Sequence, residues 1–430
     1  MARKGLFAAL EDEVIDTPVD DSALTQSVMD ANTSTDATET ASTEIDEMNT
    51  AIEEAVDGSE EIEAISDVAQ GSVDSGEGLS PEAAEIAEVA IESICNRLDM
   101  SYHKRTVPSL ESFGQKQSRV SATKIAIEGF KEKVKEIWQG IKDFFKKVWL
   151  KIKDFFAKFF ANPEKTKKAA QALMDKASER ATWKPKDETI DIGSSAQILS
   201  VKKKVDNNSL GILGKNHVFV TVGLTKVTEA MKNAISILEA NIRNKQDLEA
   251  ETKFQDAMNE IVKVLANGIN VQTSKKKDVT TMKIGPFAGD EYIEIGTTAT
   301  DVSISFEPES RDKVDTKVKA FIPKQIEEAC SVVIDISKST MEYKTALPKL
   351  EALQKAFEGL TDSAVKMVEA ISDDDNTKVN SLLGKTRKVI VQLNNTSSRL
   401  ITMIPAFNMR LAKAVLNVAN VSYNNLEEKK

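Results

Sequence analysis

One long amphipathic segment constrains the fold of this chain more than any other feature. Between residues 124 and 161 the apolar residues recur at steps of three and four, until Asn162-Pro163 interrupts the pattern. A short repeat occurs at residues 134–138, 141–145 and 152–156, with offsets of 7 and 11 residues, which together make five helical turns. The sequence therefore predicts one continuous helix of about ten turns. Its aromatic face includes Trp138, Phe145, Trp149 and Phe156.

The opposite face of this predicted helix is basic. It carries Lys131, Lys135, Lys142, Lys146 and Lys153. Three interpretations fit such a helix. It can be a core helix whose lysines remain in water, an element that lies on a membrane surface, or a helix whose lysines neutralise nucleic-acid phosphate while the aromatic side chains pack inside.

The net charge of the chain changes sign near the start of this helix. Residues 1–128 hold 28 acidic and 8 basic side chains, a net charge of −20, whereas the remaining 302 residues carry +9 within a whole-chain charge of −11. Residues 1–80 are rich in Asp, Glu, Ser and Thr, with almost no aromatic residues after Phe7. Such a segment buries too little apolar surface to offset its ordering entropy, so we expect a disordered acidic leader, which we treat as a segment of its own over residues 1–80.

The remaining pattern indicates a mainly α protein with a small antiparallel β insert. In residues 81–128, Ser80-Pro81 predicts the start of an acidic helix over 81–98, and a basic linker follows over 99–123. Residues 129–182 contain the aromatic helix and a second helix over about 164–181. Residues 183–430 form a helical body with an antiparallel meander near 280–306. Its other predicted elements are a strand over 217–222 and helices over 225–245, 250–267, 313–338, 341–372 and 376–424, the last bent or broken at Pro405.

The sequence lacks the usual signatures of an enzyme. It has no glycine-rich phosphate loop, no nucleophile elbow and no metal-binding histidine pair. Cys95, Cys330, His103 and His217 are too scattered for a disulfide framework or a zinc site. We therefore expect a non-enzymatic protein without cofactor or metal. No apolar run approaches the roughly 20 residues that span a bilayer.

Short tripeptides that end in Glu cluster around the change of charge. Glu128 ends Ala-Ile-Glu before Gly129, and Glu111 ends Ser-Leu-Glu before Ser112. Another Ala-Ile-Glu ends at Glu92. Each tripeptide is common by chance, but Glu111 and Glu128 both lie where the acidic leader gives way to the basic helix.

These features resemble the internal head proteins of giant phiKZ-like tailed bacteriophages. The resemblance rests on the acidic leader with its small-x-Glu sites, the SLESFG sequence of residues 109–114, the helical remainder, and the sequence AKAVLNVANVSYNN at residues 412–425. It implies that a phage maturation protease removes the leader after Glu in an Ala-x-Glu or Ser-x-Glu context. The candidate substrate positions are Glu128, Gly129, Glu111, Ser112 and Glu92.

The resemblance further implies a virion structural protein that is assembled in the host cytoplasm and stays inside the phage head. Its partners would be the maturation protease, other proteins of the capsid interior and the packaged DNA, and it could be ejected into the host. The alternative is a protein that binds membrane surfaces through helix 124–161, which the acidic leader masks until it is released. The residues leave open which Glu is the final cut.

Overall fold

The structure of the chain is a computed structural model. It describes residues 36–100, 106–201 and 203–205, scattered positions between 229 and 240, residues 271–308 apart from several turn positions, residues 314–371 without 343, 345 and 346, and residues 377–428. The fold is mainly helical with small antiparallel sheets. The predicted fold class is therefore confirmed.

The first described elements are two helices of the acidic leader. Helix α1 spans Asp36–Asp74 and helix α2 spans Pro81–Arg97. Ser80 caps α2 as the sequence predicts, because its hydroxyl accepts a hydrogen bond from the Ala83 N–H at 3.1 Å. The expected disorder over residues 1–80 is thus wrong for residues 36–74, and residues 1–35 lie outside the described part.

A regular apolar stripe explains why α1 is ordered despite its acidity. Ile45, Ile52, Val56, Ile62 and Ala69 are separated by combined steps of three and four residues, and all five side chains are buried. Low overall hydrophobicity and the lack of aromatic residues obscure this stripe in the sequence. Packing against other helices supplies the burial that the segment could not achieve alone.

The aromatic helix α3 spans Lys116–Phe159 and is preceded by a 3₁₀ turn at Leu110–Phe113. It therefore begins within the predicted linker and runs through the predicted boundary at residue 128. Helix α4 spans Ala161–Glu179 and turns off directly after α3. Asn162 and Pro163 occupy its first turn, where proline costs no hydrogen bond.

The rest of the body combines helices with short sheets. Its described helices are α5 at Ser195–Leu199, α6 at Pro323–Glu342, α7 at Leu347–Ile371 and α8 at Thr377–Asn424. Helix α6 packs against α4 and α8, and α8 also contacts α1 and α5. Pro405 lies inside α8, which continues past it without a break.

A four-stranded meander is the main sheet of the described residues. Strands β3 (Val271–Lys276), β4 (Val279–Ile284), β5 (Glu291–Thr297) and β6 (Val302–Pro308) pair antiparallel in sequence order. The prediction near 280–306 therefore missed the first strand, whose Gln, Ser and Lys residues give it little apolar character.

Two short antiparallel pairs join distant parts of the chain. Strand β1 (Lys184–Pro185) pairs with β8 (Leu426–Glu427), and β2 (Thr189–Asp191) pairs with β7 (Lys317–Lys319). Because β7 occupies 317–319, α6 begins at Pro323 rather than near residue 313 as predicted. The predicted strand over 217–222 and helix over 250–267 lie outside the described residues, as does most of 225–245.

Candidate processing junction

The leader helix α1 lies antiparallel to the aromatic helix α3. At one end the Lys151 ammonium donates to the Glu44 carboxylate at 2.6 Å. At the other end the Leu79 N–H donates to the Thr123 hydroxyl at 2.9 Å. These two contacts place the start of α1 beside the later part of α3, and its end beside the first turns of α3.

A tight turn returns the chain from α1 to α2. Gly78 has a φ of +64°, and a Cβ at this position would lie 2.6 Å from the Arg119 carbonyl carbon. Only glycine combines that backbone conformation with such a close approach to α3. Further along, Leu98 at the end of α2 packs against Gly58 of α1. The three helices α1, α2 and α3 therefore form one packed unit.

A buried carboxylate holds the segment that comes after α2. Glu88 is 5% exposed and accepts hydrogen bonds from the Val107 N–H at 2.9 Å and the Thr106 hydroxyl at 3.0 Å. This places Thr106 directly on α3, because a Cβ built on Gly129 would lie 2.8 Å from the Thr106 carbonyl oxygen. The glycine after Glu128 thus has a packing role that is independent of any cleavage.

Glu111 lies in the short exposed turn between this segment and α3. Its side chain is exposed, and the turn is closed by two backbone bonds, from the Ser112 N–H to the Ser109 carbonyl at 2.9 Å and from the Gly114 N–H to the Glu111 carbonyl at 3.2 Å. Phe113 is fully buried and anchors the turn, and the Arg119 Nε donates to its carbonyl at 2.6 Å. The turn at Glu111 is therefore held by fewer backbone bonds than the turns of a long helix, although Phe113 fixes its end in the core.

Glu92 and Glu128 lie in a different setting. Both side chains are exposed, but Glu92 is inside α2 and Glu128 is well inside α3, which is 44 residues long. In a helix each peptide carbonyl is bonded to an N–H four residues on, so a protease must unwind the helix before it can attack. Proteolytic cuts concentrate in exposed loops instead. Among these three candidate positions, Glu111 alone lies outside an α-helix.

The aromatic residues that the sequence places on one face of α3 are buried. Trp138, Phe145, Trp149 and Phe156 are each at most 2% exposed. Trp149 packs near Phe357 of α7, with 6.3 Å between ring centroids. Towards the end of the helix the side chains of Phe155, Phe156, Phe159 and Phe160 form a cluster of stacked and edge-on pairs. In this state the aromatic face is therefore part of the core.

The predicted basic face is less uniform than the lysine pattern suggests. Lys135, Lys146 and Lys153 are exposed, and Lys131 and Lys142 are half-buried. Lys142 forms an ion pair with Asp362 of α7, and Lys146 pairs with Asp143 one turn away at 3.1 Å. Part of the positive charge is thus neutralised within the chain, although exposed pairs of this kind hold their partners weakly.

The sequence did not reveal the polar contacts between α1 and α8. The Asn49 amide donates to the Ser398 hydroxyl at 2.9 Å, and the Asn395 amide donates to the Asn49 carbonyl at 3.2 Å and to Glu53 at 2.7 Å. Arg399 donates to Asp46 at 3.0 Å. These partners are about 340 to 350 residues apart in the chain, and no local pattern indicates such pairings.

The described residues show neither a metal site nor a membrane span. Their His, Cys, Asp and Glu side chains do not gather in groups of three that could hold a metal ion. Cys95 and Cys330 are buried free thiols. No helix in the described part of the chain has both the length and the apolar character that crossing a bilayer requires.

Comparison with known proteins identifies the family of this chain. A sequence profile of the phiKZ-like phage internal head proteins matches residues 29–421, which include all of α1 and nearly all of α8. No curated protein and no solved structure matches the chain. The chain belongs to the family of phiKZ-like phage internal head proteins, which are located inside the head of the virus particle.

Proposed function

We propose that this protein is a non-enzymatic structural component of the phage head interior, made as a precursor that the phage maturation protease cuts between Glu111 and Ser112. The observation that carries the choice of site is the position of Glu111 in an exposed turn, whereas Glu92 and Glu128 are held inside helices. Membership of the family supports the structural role.

A cut after Glu111 would change the sign of the net charge of the protein. Residues 1–111 carry 27 acidic and 5 basic side chains, a net charge of −22, so the rest of the chain carries +11. Removal of the leader therefore produces a basic protein, which is suited to share a compartment with concentrated DNA through non-specific contacts to phosphate. We propose the packaged DNA and other proteins of the head interior as its partners. Ejection into the host stays a prediction.

Co-expression of the precursor with the maturation protease tests the site. We expect the wild-type chain and a Glu128→Ala variant to be cut to the same product, whose first residue is Ser112. A Glu111→Ala variant should remain at the length of the precursor. The proposed site is wrong if Glu128→Ala blocks processing and Glu111→Ala does not.

A membrane-surface role is the second candidate, and the packing of α1 favours it. Helix α1 packs along α3, whose aromatic side chains are buried, as a mask would require. However, Trp149 also packs near α7, so removal of α1 uncovers only part of the aromatic face. Binding to vesicles of anionic lipid distinguishes the membrane-surface role from the structural role.

The fluorescence of Trp138 and Trp149 reports the result. A Trp183→Phe background removes the third tryptophan, which is half-buried beside Arg180. If the protein lacking residues 1–111 binds membranes, vesicles should shift this emission to the blue and pull the protein down with them. The structural role predicts neither change.

A further inference from the structure

We infer that the two fragments stay bound to each other after the chain is cut at Glu111, so that processing first produces a complex of two chains. The fragment that ends at Glu111 is called the leader here, and the fragment that begins at Ser112 is called the body. This inference rests on the proposed cut, because it concerns the fate of the leader once that cut is made. It assigns to the surface formed by α3 and α8 a definite partner, namely residues 36–100 and 106–111 of the same protein.

The apolar contact is the first reason. Along α1, five side chains are fully or almost fully buried, and this face packs against α3 and α8, whose own apolar faces are buried. Release of α1 would expose both faces to water. Association through large apolar faces of this kind is typical of permanent rather than transient complexes.

Buried polar contacts are the second reason. Asn49, Asn395 and Ser398 are each at most 2% exposed, and their hydrogen bonds join α1 to α8. Separation would require these groups to exchange their mutual bonds for water. Such bonds also fix the register of α1, because a shifted helix would leave the buried amides without partners.

The location of the cut is the third reason. The contacts Leu79 to Thr123, Glu44 to Lys151 and Asp46 to Arg399 each join the leader to the body without involving residues 109–114. The Glu88 bonds to Thr106 and Val107 lie wholly inside the leader. Cutting at Glu111 therefore breaks one covalent link and leaves every one of these contacts in place.

Retention of the leader determines the net charge of the protein after the cut. A cut complex that keeps its leader carries the same side chains as the precursor, so its net side-chain charge stays at −11. The net charge changes from −11 to the +11 of the body only when all of residues 1–111 leave. Binding to DNA is thus controlled by departure of the leader, and the peptide-bond cut is a precondition that lowers the effective concentration of leader beside body.

A site-specific protease tests retention without the phage enzyme. Its recognition sequence is inserted between Glu111 and Ser112, so that Phe113 and its contact with Arg119 stay in the body as in the proposed cut. After complete cutting we expect both fragments to elute together at the volume of the uncut protein in native buffer, and to separate in urea. Affinity for duplex DNA should be unchanged by the cut alone. Elution of the leader fragment by itself in native buffer would overturn the inference.

Substitutions in α1 test whether its contacts keep the cut leader bound to the body. Ile52→Asp should raise the dissociation constant of the cut leader by about tenfold or more, because it places a charge in the apolar contact. Glu54→Asp, at an exposed position of the same helix, should leave the leader bound. If Ile52→Asp does not fold before cutting, Asn395→Ala replaces it and should also weaken retention, because it removes buried hydrogen bonds to α1.

The retention test is separate from the test of the proposed function. The inserted site is cut whether or not the maturation protease recognises Glu111. Release of the leader after the engineered cut would overturn retention alone. Failure of the maturation protease to cut at Glu111 would overturn the processing site alone.

Discussion

Individual residues at the junction show why a sequence motif and its structural setting must be weighed together. Ala-Ile-Glu before Gly129 has the form of a cleavage site, and its position at the change of charge makes it a leading candidate in the sequence. The structure gives another reason for a glycine at position 129, because the Thr106 carbonyl oxygen lies where the Cβ of a larger residue would be. Glu111 lacks such a packing explanation and lies in an exposed turn.

Replacement of two glycines in α3 tests this packing role. Gly129→Ala should lower the free energy of unfolding by roughly 1 to 3 kcal/mol, because backbone atoms 2.8 Å away must move. Gly140→Ala is the matched control in the same helix, with open space around it, and should raise stability by about 0.5 to 1 kcal/mol. Urea unfolding measures both. Equal stabilisation by the two substitutions would show that Thr106 does not press on Gly129.

A buried carboxyl of the meander gives a prediction about pH. Burial raises the pKa of Glu291 to about 6, although Arg410, whose guanidinium lies 3.1 Å away, acts to lower it. Because the folded pKa exceeds the ordinary value of 4.5, the stabilising contribution is complete below pH 4.5 and is lost as the pH rises to about 6. The loss amounts to about 2 kcal/mol.

Urea unfolding between pH 4.5 and pH 7 measures this loss. Glu291→Gln cannot ionise, so its stability relative to wild type should increase by about 2 kcal/mol over that range. Glu294→Gln, an exposed position on the same strand, is the matched control. A pH-independent difference between wild type and Glu291→Gln would contradict the account.

At the scale of elements, the sequence predicted best where periodicity and end signals coincide. Ser80-Pro81 marked the start of α2, and the aromatic repeat identified the buried face of α3. Helix α1 was missed because its order depends on contacts with α3 and α8, which no local pattern shows. The start of α3 was placed several residues too late because the polar and basic residues from Lys116 to Arg119 are typical of a linker.

Substitutions in α1 test whether this helix is integral to the fold. Ile52 is fully buried, and Ile52→Ala should lower the free energy of unfolding by about 2 to 5 kcal/mol through lost burial and a cavity. Glu54 is exposed on the same helix, so Glu54→Ala should change stability little. Chemical denaturation of the full-length protein measures both. Equal effects from the two would indicate that α1 is not packed as described.

For the whole molecule, the division by charge coincides with a packing contact. The acidic leader contributes α1 and α2 to the helical unit, and the basic body contributes α3. The sequence alone predicted that a cut would reverse the charge. It could not show that the leader is folded onto the body through α8, because those partners are far apart in the chain. We propose that a cut and a release are separate events.

The most direct test of the processing account is to map the first residue of this protein in purified phage particles by mass spectrometry. Digestion with a protease that does not cut after Glu should yield a peptide beginning at Ser112, and peptides that span the Glu128–Gly129 bond should be intact. A mature chain that begins at Gly129, or one that retains an uncut Glu111–Ser112 bond, would contradict the account.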